Sequence, residues 1–326
     1  MIAKWRIGAF FLEAALTIAV IGIGWRIIHV SKASPEYERL AWTRLAFVDR
    51  GGVIGESFDL AGRYCSPRLS LDRATVFLTR LQLGERSTWA LDLSNHKMMR
   101  LGSRRDGMLF ELPSVDGRAV VFVADDRRDR LFVAANREPA RRVFTANWMN
   151  LIPVDWSHDG RWIAVARADL DRTALWITRN DGAEASLILD SHFESPDARF
   201  SPDGKRIALT SNLTGRDEVY VATVGTQGDQ GSDLIRISPS GGHSPQWGSS
   251  DELFYLDGEN RLVDVTGSSS GRRGQQKLFA FSTIGGPNYE YAFDGYAPDR
   301  DGGRLLILLR RIFNKHAALS PNRQCP

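Results

Sequence analysis

Between residues 44 and 312, short apolar runs alternate with polar turns, and within many runs the apolar residues recur at every second position. This period is typical of β-strands. In the clearest segment, 196–224, the residues 198–200 precede the turn sequence Ser-Pro-Asp-Gly at 201–204. Proline fixes φ, aspartate bonds to its own backbone and glycine accepts a positive φ, so a tight turn is predicted there. Strands at 207–209, 219–221 and 234–237 complete a predicted four-stranded meander.

The turn sequence recurs at a regular spacing. The serines of four copies, Ser70, Ser114, Ser157 and Ser201, are 44, 43 and 44 residues apart, and two degenerate copies follow at 247–255 and 296–309. A period of about 40–45 residues with four strands per unit is typical of a β-propeller blade. In a β-sandwich, the alternative, the turns have no reason to recur at one period. One meander cannot bury its faces alone, so the copies are expected to pack against one another.

The two ends of the repeat region are incomplete in complementary ways. A hairpin at 45–55, with the turn Arg50-Gly51-Gly52, precedes the first copy and lacks inner strands, while the sixth copy lacks an outer pair. Joining the two halves in one blade leaves no free edge at which the ring could open. The predicted fold is therefore all-β, a six-bladed β-propeller closed by its N- and C-terminal strands. If the hairpin were not part of a blade, the propeller would have five blades.

Three segments resemble a known repeat. They are VDWSHDGRWIAVA at 154–166, SPDGKRIALTSNLTGRDEVYVATV at 201–224 and SPQWGSSDELFYLDGENRLVDV at 244–265. They are similar to the WD40-like (PD40) propeller repeats of TolB, and most similar to the propeller regions of bacterial membrane-anchored TolB-related proteins. The resemblance spans roughly residues 45–310 and implies a propeller outside the membrane. It departs from TolB in having no counterpart of the N-terminal α/β domain, and no room for a kinase or winged-helix module before the anchor.

The chain opens with an apolar segment at 7–24, broken only by Glu13 and flanked by Trp5 and Trp25. About twenty apolar residues in a helix span the hydrocarbon core of a bilayer, and tryptophans favour its interfaces. We expect one N-terminal transmembrane helix; a cleavable signal peptide ending at 31–33 is the alternative. The expected organisation is an anchor at 1–33, a linker at 34–43, the propeller at 44–312 and a polar tail at 313–326.

Charge and cysteine content limit the classes of partner and the covalent links that are expected. The net charge of +3 is too small for a nucleic-acid surface, and the arginine pairs are interleaved with aspartates, which is typical of solvated loops. Nucleic acid is therefore not an expected partner. The chain has two cysteines, Cys65 and Cys325. Ring closure would bring the tail near Cys65, so a disulfide between them is a hypothesis, with two unpaired thiols as the alternative.

No catalytic site is predicted. The Gly-x-Ser-x-Gly at 267–271 lies in a predicted flexible loop at 267–276. A nucleophile elbow needs a strand before it, a helix after it and an acid and a histidine downstream, whereas here arginine and glycine follow and only His316 remains downstream. His192, Glu194, His243 and Glu290 fall just before inner strands, near the expected channel mouth, but lack short metal-ligand spacing. We interpret them as polar channel residues, and we expect neither a metal nor any other cofactor.

The sequence favours a membrane-anchored, extracytoplasmic propeller that acts as a protein- or ligand-binding scaffold or sensor and is not an enzyme. The alternative is a propeller-type hydrolase, either metal-dependent and lactonase-like or a prolyl-oligopeptidase-related remnant; a place in a signalling relay is a third hypothesis. The resemblance implies a location at the bacterial inner membrane, with the propeller in the periplasm or outside the cell, and a protein partner such as a lipoprotein or membrane complex. The candidate binding residues at the channel mouth are Tyr64, Asn150, Glu194, His243 and Tyr291.

Overall fold

The structure, a computed structural model, describes most of the chain from Trp42 to Arg311. The described residues are 42–82, 85–103, 108–124, 129–135, 139–146, 151–168, 173–183, 185–191, 197–224, 230–267, 274–280, 291–299 and 302–311. They contain twenty-four strands and no helix. The strands are β1 Trp42–Asp49, β2 Ile54–Ala61, β3 Arg63–Leu69, β4 Thr75–Gln82, β5 Glu85–Asp92, β6 Met98–Ser103, β7 Met108–Pro113, β8 Ala119–Ala124, β9 Arg130–Ala135, β10 Arg141–Thr145, β11 Leu151–Trp156, β12 Trp162–Ala168, β13 Thr173–Arg179, β14 Ala185–Ser191, β15 Ala198–Phe200, β16 Arg206–Ser211, β17 Glu218–Val224, β18 Gln230–Arg236, β19 His243–Ser249, β20 Glu252–Leu256, β21 Arg261–Thr266, β22 Gly274–Ala280, β23 Tyr291–Pro298 and β24 Arg304–Arg311.

Within the described residues these strands form six four-stranded antiparallel sheets, the blades of a propeller. Blades 1 to 5 are the consecutive groups β3–β6, β7–β10, β11–β14, β15–β18 and β19–β22. The first strand of each group lies innermost, and inner strands contact one another from β7 through β11, β15, β19 and β23 to β3. The predicted all-β, six-bladed architecture is confirmed.

Blade 6 is built from both ends of the repeat region, as the incomplete copies predict. Its strand order is β2-β1-β24-β23, so the N-terminal hairpin supplies the outer pair and the sixth copy supplies the inner pair. The seam is a continuous antiparallel ladder from Thr43 opposite Arg310 to Asp49 opposite Arg304. Seven registered pairs thus close the ring and leave no open edge at this point.

The core lies in the seams between blades. Five clusters of buried apolar residues are found among the described residues, each between two neighbouring blades. In β24, Leu305 and Ile307 face blade 5, whereas Leu306 and Leu308 face blade 1. Because successive side chains in a strand point to opposite faces, a strand covered on both sides is apolar throughout. Each meander therefore depends on its neighbours, as predicted.

The two ends of the propeller are distinguished by their turns. We call the turn face the end that carries the turns between the first and second strands of the blades, at 70–74, 114–118, 157–161 and 201–205 in blades 1 to 4. The start face is the opposite end, where the inner strands begin. The inner strand β23 begins at the start face, and its antiparallel neighbour β24 runs back to that face and ends there at Arg311. Because β1 is antiparallel to β24, β1 begins at the start face with Trp42.

A repeated hydrogen-bond motif fixes the four regular turns. In the blade 4 copy, Ser201 Oγ donates to the Asp203 carboxylate at 2.6 Å and accepts from the Arg206 backbone N–H at 3.0 Å. The same pair of bonds is present at Ser70, Ser114 and Ser157. Burial raises the pKa of Asp203, but the bonds from Ser201 and the Lys205 N–H outweigh it, so the net effect lowers the pKa below its usual range.

We expect Ser201→Ala to lower the free energy of unfolding at pH 7 by about 1–3 kcal/mol, because a buried N–H loses its acceptor. Ser201 is fully buried. The lowered pKa of Asp203 means that its ionised form stabilises the fold above the unfolded value of about 3.9, and that this contribution is lost as the pH falls through the lower folded value. The deficit of the variant should therefore shrink below about pH 4.

Urea denaturation at pH 7 and pH 3 measures this difference. Ser94→Ala is the matched control, because Ser94 makes the same kind of bond to Asp92, at 2.7 Å, but on the surface. An equal effect of the two substitutions would contradict the role assigned to the buried turn serine.

The predicted N-terminal anchor lies outside the described residues. Among the residues that are described, no helix is long and apolar enough to cross a membrane. The transmembrane helix at 7–24 and the boundaries of anchor, linker and tail stay predictions.

Candidate functional site

The inner strands of all six blades converge on a cavity of about 100 Å³ in the central channel. Strand residues that line it include Arg68, Asp155, Arg199 and Gln246. Residues of the turns, among them Ser70, Val115, His158, Pro202 and Asp299, also line it. The cavity therefore lies at the turn-face end of the channel.

Four of the polar lining residues occupy one position of the repeat. Counting back two residues from the turn serine gives Arg68 in blade 1, Asp155 in blade 3 and Arg199 in blade 4. Gln246 is the equivalent residue in blade 5, where Gly248 replaces the serine. This position faces the axis, whereas the next residue packs into a seam, as Trp156, Phe200 and Trp247 do.

An ion pair crosses the channel. The Arg68 guanidinium contacts the Asp155 carboxylate through Nη1 and donates from Nη2 to the Val154 carbonyl oxygen at 2.6 Å. Arg68 belongs to blade 1 and Asp155 to blade 3, which are not neighbours in the ring. The side chains are 24% and 8% exposed, respectively. Burial and the neighbouring Arg199 guanidinium lower the pKa of Arg68, while Asp155 opposes that effect.

Further hydrogen bonds continue the link around the axis. Asp155 Oδ2 accepts from the backbone N–H of Phe200 in blade 4 at 2.7 Å. Trp247 Nε1 in blade 5 donates to the Arg199 carbonyl oxygen at 2.9 Å, and the Tyr296 hydroxyl in blade 6 donates to the Ser244 carbonyl oxygen at 2.6 Å. Burial raises the pKa of the Tyr296 hydroxyl well above its usual value, so it stays a donor. Blades 1, 3, 4, 5 and 6 are thus joined by bonds near the axis.

A second cavity of about 130 Å³ adjoins the first at the seam between blades 6 and 1. Leu69, Arg73 and Asp299 line both. Arg73 Nε pairs with the buried Asp299 carboxylate at 2.9 Å. Arg73 has φ of 62° at the place where Gly204 completes the turn of blade 4. A left-handed φ costs a side-chain-bearing residue about 1–2 kcal/mol, and such residues concentrate at functional sites.

The predicted binding residues lie elsewhere. Tyr64, His243 and Tyr291 are at or next to the first residues of β3, β19 and β23, at the start face as expected. The Tyr64 side chain, however, is only 4% exposed and packs in the seam between blades 6 and 1. His243 is half-buried, and its Nδ1 lies 3.1 Å from Ser244 Oγ. None of these three lines either cavity.

A bulge explains the placement of Tyr64. Cys65 pairs with Thr79 and Arg68 with Phe77, so β3 carries one extra residue between these pairs. A one-residue bulge reverses which side chains face which side of the sheet. Tyr64 and Arg68 are four residues apart and would share a face in a regular strand; the bulge sends Arg68 to the channel and Tyr64 to the seam.

Other sequence-based predictions fall on parts of the chain that are not described. Asn150 and Glu194 lie outside the described residues, and so does the side chain of Tyr291. Cys65 is buried in β3, but Cys325 lies outside the described residues, so the disulfide between them stays a prediction.

The structure does not test the hydrolase alternative. Among the described residues, no three His, Cys, Asp or Glu side chains are grouped so that they could hold a metal. His192, Glu194 and Glu290, three of the four residues weighed as metal ligands, lie outside that part of the chain.

Sequence reasoning missed Arg68, Asp155 and Arg199. The available signal was their common position, two residues before the turn serine of the repeat. A charged side chain buried without a partner in an apolar seam is costly. A charged residue two positions before the turn serine therefore indicates that this position faces the axis.

Comparisons with known proteins agree with this architecture. Residues 113–274, which run from blade 2 to blade 5, match the family model of the lipoprotein LpqB β-propeller domain. No curated protein matches the sequence.

Solved structures show the same fold at low sequence identity. A protein assigned as TolB from Agrobacterium tumefaciens aligns with a TM-score of 0.60 and 14% identity, over 83% of this chain and 99% of that one. TolB from Acinetobacter baumannii aligns with a TM-score of 0.53 and 14% identity, over 82% of this chain and 63% of that one. A chain of the nidogen–laminin complex aligns with a TM-score of 0.51 and 14% identity, over 83% and 98%.

Proposed function

Since this chain is a protein with a TolB-like β-propeller, we propose that it is a membrane-anchored, extracytoplasmic binding module that docks a protein partner on its turn face. The observation that carries the proposal is the cavity at that face, where charged residues from several blades meet. Ligand sites are concave and place a few polar groups in a mainly apolar wall. Here the wall includes Phe77, Trp156, Phe200 and Trp247.

The path of the chain supports the choice of face. The described chain enters the propeller at Trp42 and leaves it at Arg311, both at the start face. The turn face and its cavity lie at the opposite end of the propeller from these two points. The proposed partner is a lipoprotein or a membrane-associated complex in the periplasm or outside the cell.

We expect the full-length protein to remain in the membrane fraction after carbonate extraction, because the apolar segment at 7–24 is long enough to span a bilayer. Deletion of residues 1–33 should release the propeller into the soluble fraction. Protease added to spheroplasts should digest the propeller if it lies outside the inner membrane. A mature N-terminus after Ala33, or a propeller protected from protease in intact spheroplasts, would contradict this placement.

We expect a photo-crosslinking amino acid at Leu71 to form a discrete adduct with a protein partner in native membranes. Leu71 lies in the blade 1 turn at the turn face and is 40% exposed. Leu213 is the matched control, because it is an exposed leucine, at 52%, in the β16–β17 loop at the start face. Adducts that form from Leu213 and not from Leu71, or no adduct from either position, would refute docking on the turn face.

A further inference from the structure

One edge of the Arg199 guanidinium has no protein partner. Arg199 Nη1 donates to the Ala198 carbonyl oxygen at 2.7 Å, reaches the Val154 carbonyl oxygen at 3.5 Å and lies 3.2 Å from Asp197 Oδ1. All the polar contacts that the guanidinium makes with described residues are made by this single nitrogen. Within the described part of the chain, no residue accepts from the buried Nε or from Nη2.

This edge is shaped for a carboxylate. The Nε and Nη2 hydrogens of a guanidinium point in parallel, and a carboxylate accepts both at once. A buried donor without an acceptor, such as Nε here, costs about 1–3 kcal/mol. A carboxylate fits the space available: the cavity of about 100 Å³ equals the liquid volume of about three waters.

Two cations lie side by side at the cavity, although the charges around it balance. Three arginines, Arg68, Arg73 and Arg199, and two aspartates, Asp155 and Asp299, line it, and Asp197 adds a third negative charge 3.2 Å from Arg199 Nη1. Each aspartate is already bound: Asp155 by Arg68 and the Phe200 N–H, and Asp299 by Arg73. Arg199 is close enough to Arg68 to lower the pKa of its guanidinium. An incoming negative charge relieves this repulsion between two cations.

We propose that the cavity is a carboxylate-binding site in which the Nε–Nη2 edge of Arg199 is the principal donor. The carboxylate comes either from an acidic side chain or C-terminus of a docked polypeptide, or from a free small organic acid. The polypeptide source rests on the proposed function, since it needs a partner on the turn face. The small-acid source does not depend on it.

The test uses the purified full-length protein in detergent at low ionic strength, with calorimetric titration of four probes. These are sodium acetate, the blocked peptide acetyl-Ala-Glu-Ala-amide, acetyl-Ala-Ala-Ala with a free C-terminus, and acetyl-Ala-Gln-Ala-amide. We expect saturable binding of carboxylate probes and none of the glutamine peptide. Binding of acetate alone identifies a small organic acid as the ligand class, and tighter binding of either carboxylate peptide identifies a polypeptide source.

Arg199→Lys keeps the charge but removes the bidentate edge. We expect it to weaken carboxylate binding at least tenfold. Arg261→Lys is the control, because Arg261 makes ion pairs with Asp257 and Glu259 away from the cavity, and it should bind like the wild type. A second measurement needs no variant: in NMR spectra of the wild type, the resonance of the Arg199 Nε nitrogen should shift when acetate is added.

The proposal is overturned if no carboxylate probe binds saturably to the wild type, or if Arg199→Lys binds as tightly as the wild type. Failure of the docking proposal gives a different result. If no carboxylate probe binds but Leu71 still forms its adduct, only the carboxylate site is rejected and docking on the turn face is retained. Carboxylate binding without any adduct at Leu71 rejects turn-face docking and retains the site for a small acid.

Discussion

Arg68→Met should lower the free energy of unfolding by about 3–5 kcal/mol, because it leaves the Asp155 carboxylate inside the channel without its counter-charge. The Asp155 side chain is 8% exposed, and the Phe200 N–H is then its remaining donor. The substitution also removes the link between blades 1 and 3 across the axis. Equilibrium urea denaturation of the full-length protein, followed by tryptophan fluorescence, measures the loss.

The double variant Arg68→Met with Asp155→Leu should recover most of this stability, since two apolar groups need no counter-charge. With the single variant Asp155→Leu and the wild type, these two variants form a double-mutant cycle, for which we expect a coupling energy above about 2 kcal/mol. Arg161→Ala is the control, because its pair with Asp159 is on the surface, with side chains 71% and 40% exposed, and should change stability by less than about 1 kcal/mol. The channel pair would be rejected as a structural link if Arg68→Met lowered the free energy of unfolding by less than about 1 kcal/mol. It would also be rejected if the loss in the double variant equalled the sum of the losses in the two single variants.

Arg50→Met should be the second severe substitution, with an expected loss of about 2–4 kcal/mol at pH 7. Arg50 lies in the turn of the N-terminal hairpin and reaches into blade 5, where it contacts the Glu252 carboxylate at 2.8 Å and the Asp264 carboxylate. It also donates to the Gly302 carbonyl oxygen at 3.0 Å. The lower end of the range reflects the 35% exposure of Arg50, which lets solvent screen part of the attraction.

The loss caused by Arg50→Met should be smaller at pH 5 than at pH 7. Burial already raises the pKa of Asp264, Glu252 raises it further and Arg50 holds it down. Without Arg50 the folded-state pKa rises again, so the folded variant binds a proton that the unfolded chain, with a value of about 3.9, does not bind near neutral pH. A group with a raised folded-state pKa stabilises the fold more as the pH falls.

Arg44→Met is the matched control for ring closure. Arg44 lies on β1 of the same hairpin, but its pair with Asp59 is exposed and should contribute about 0–1 kcal/mol. Hydrogen exchange should accelerate in β1 and β2 of the Arg50 variant and not in those of the Arg44 variant. Equal losses from the two substitutions, or a loss at pH 5 as large as at pH 7, would refute the closure role of Arg50.

Most of the fold could be predicted because its determinants are local. The spacing of Ser70, Ser114, Ser157 and Ser201 gave the blade period, and each serine and its aspartate form the turn within six residues. The closure of blade 6 followed from counting strands at the two ends, and the ladder between β1 and β24 confirms it. The loop predicted at 267–276 was too long, because β22 begins at Gly274 and pairs there with Thr266.

The candidate binding residues stay predictions. They were expected at a channel mouth, just before the inner strands, and the two cavities described above lie at the other end of the propeller, the turn face. Tyr64 was chosen for its expected place at the channel mouth, and its side chain packs in a seam, next to the bulge of β3. A bulge depends on how the inner strand fits between its neighbours, which a local pattern of residues does not record.

The blade, the number of blades and the way the ring closes can be read from the sequence alone, because turn chemistry and the alternation of side chains act over a few residues. That Arg68, Asp155 and Arg199 meet in one cavity, and at which end of the channel that cavity lies, is visible only in the folded protein. These residues belong to different blades and are far apart in the chain. Their meeting depends on how the blades are arranged around the axis and on where the inner strands bulge.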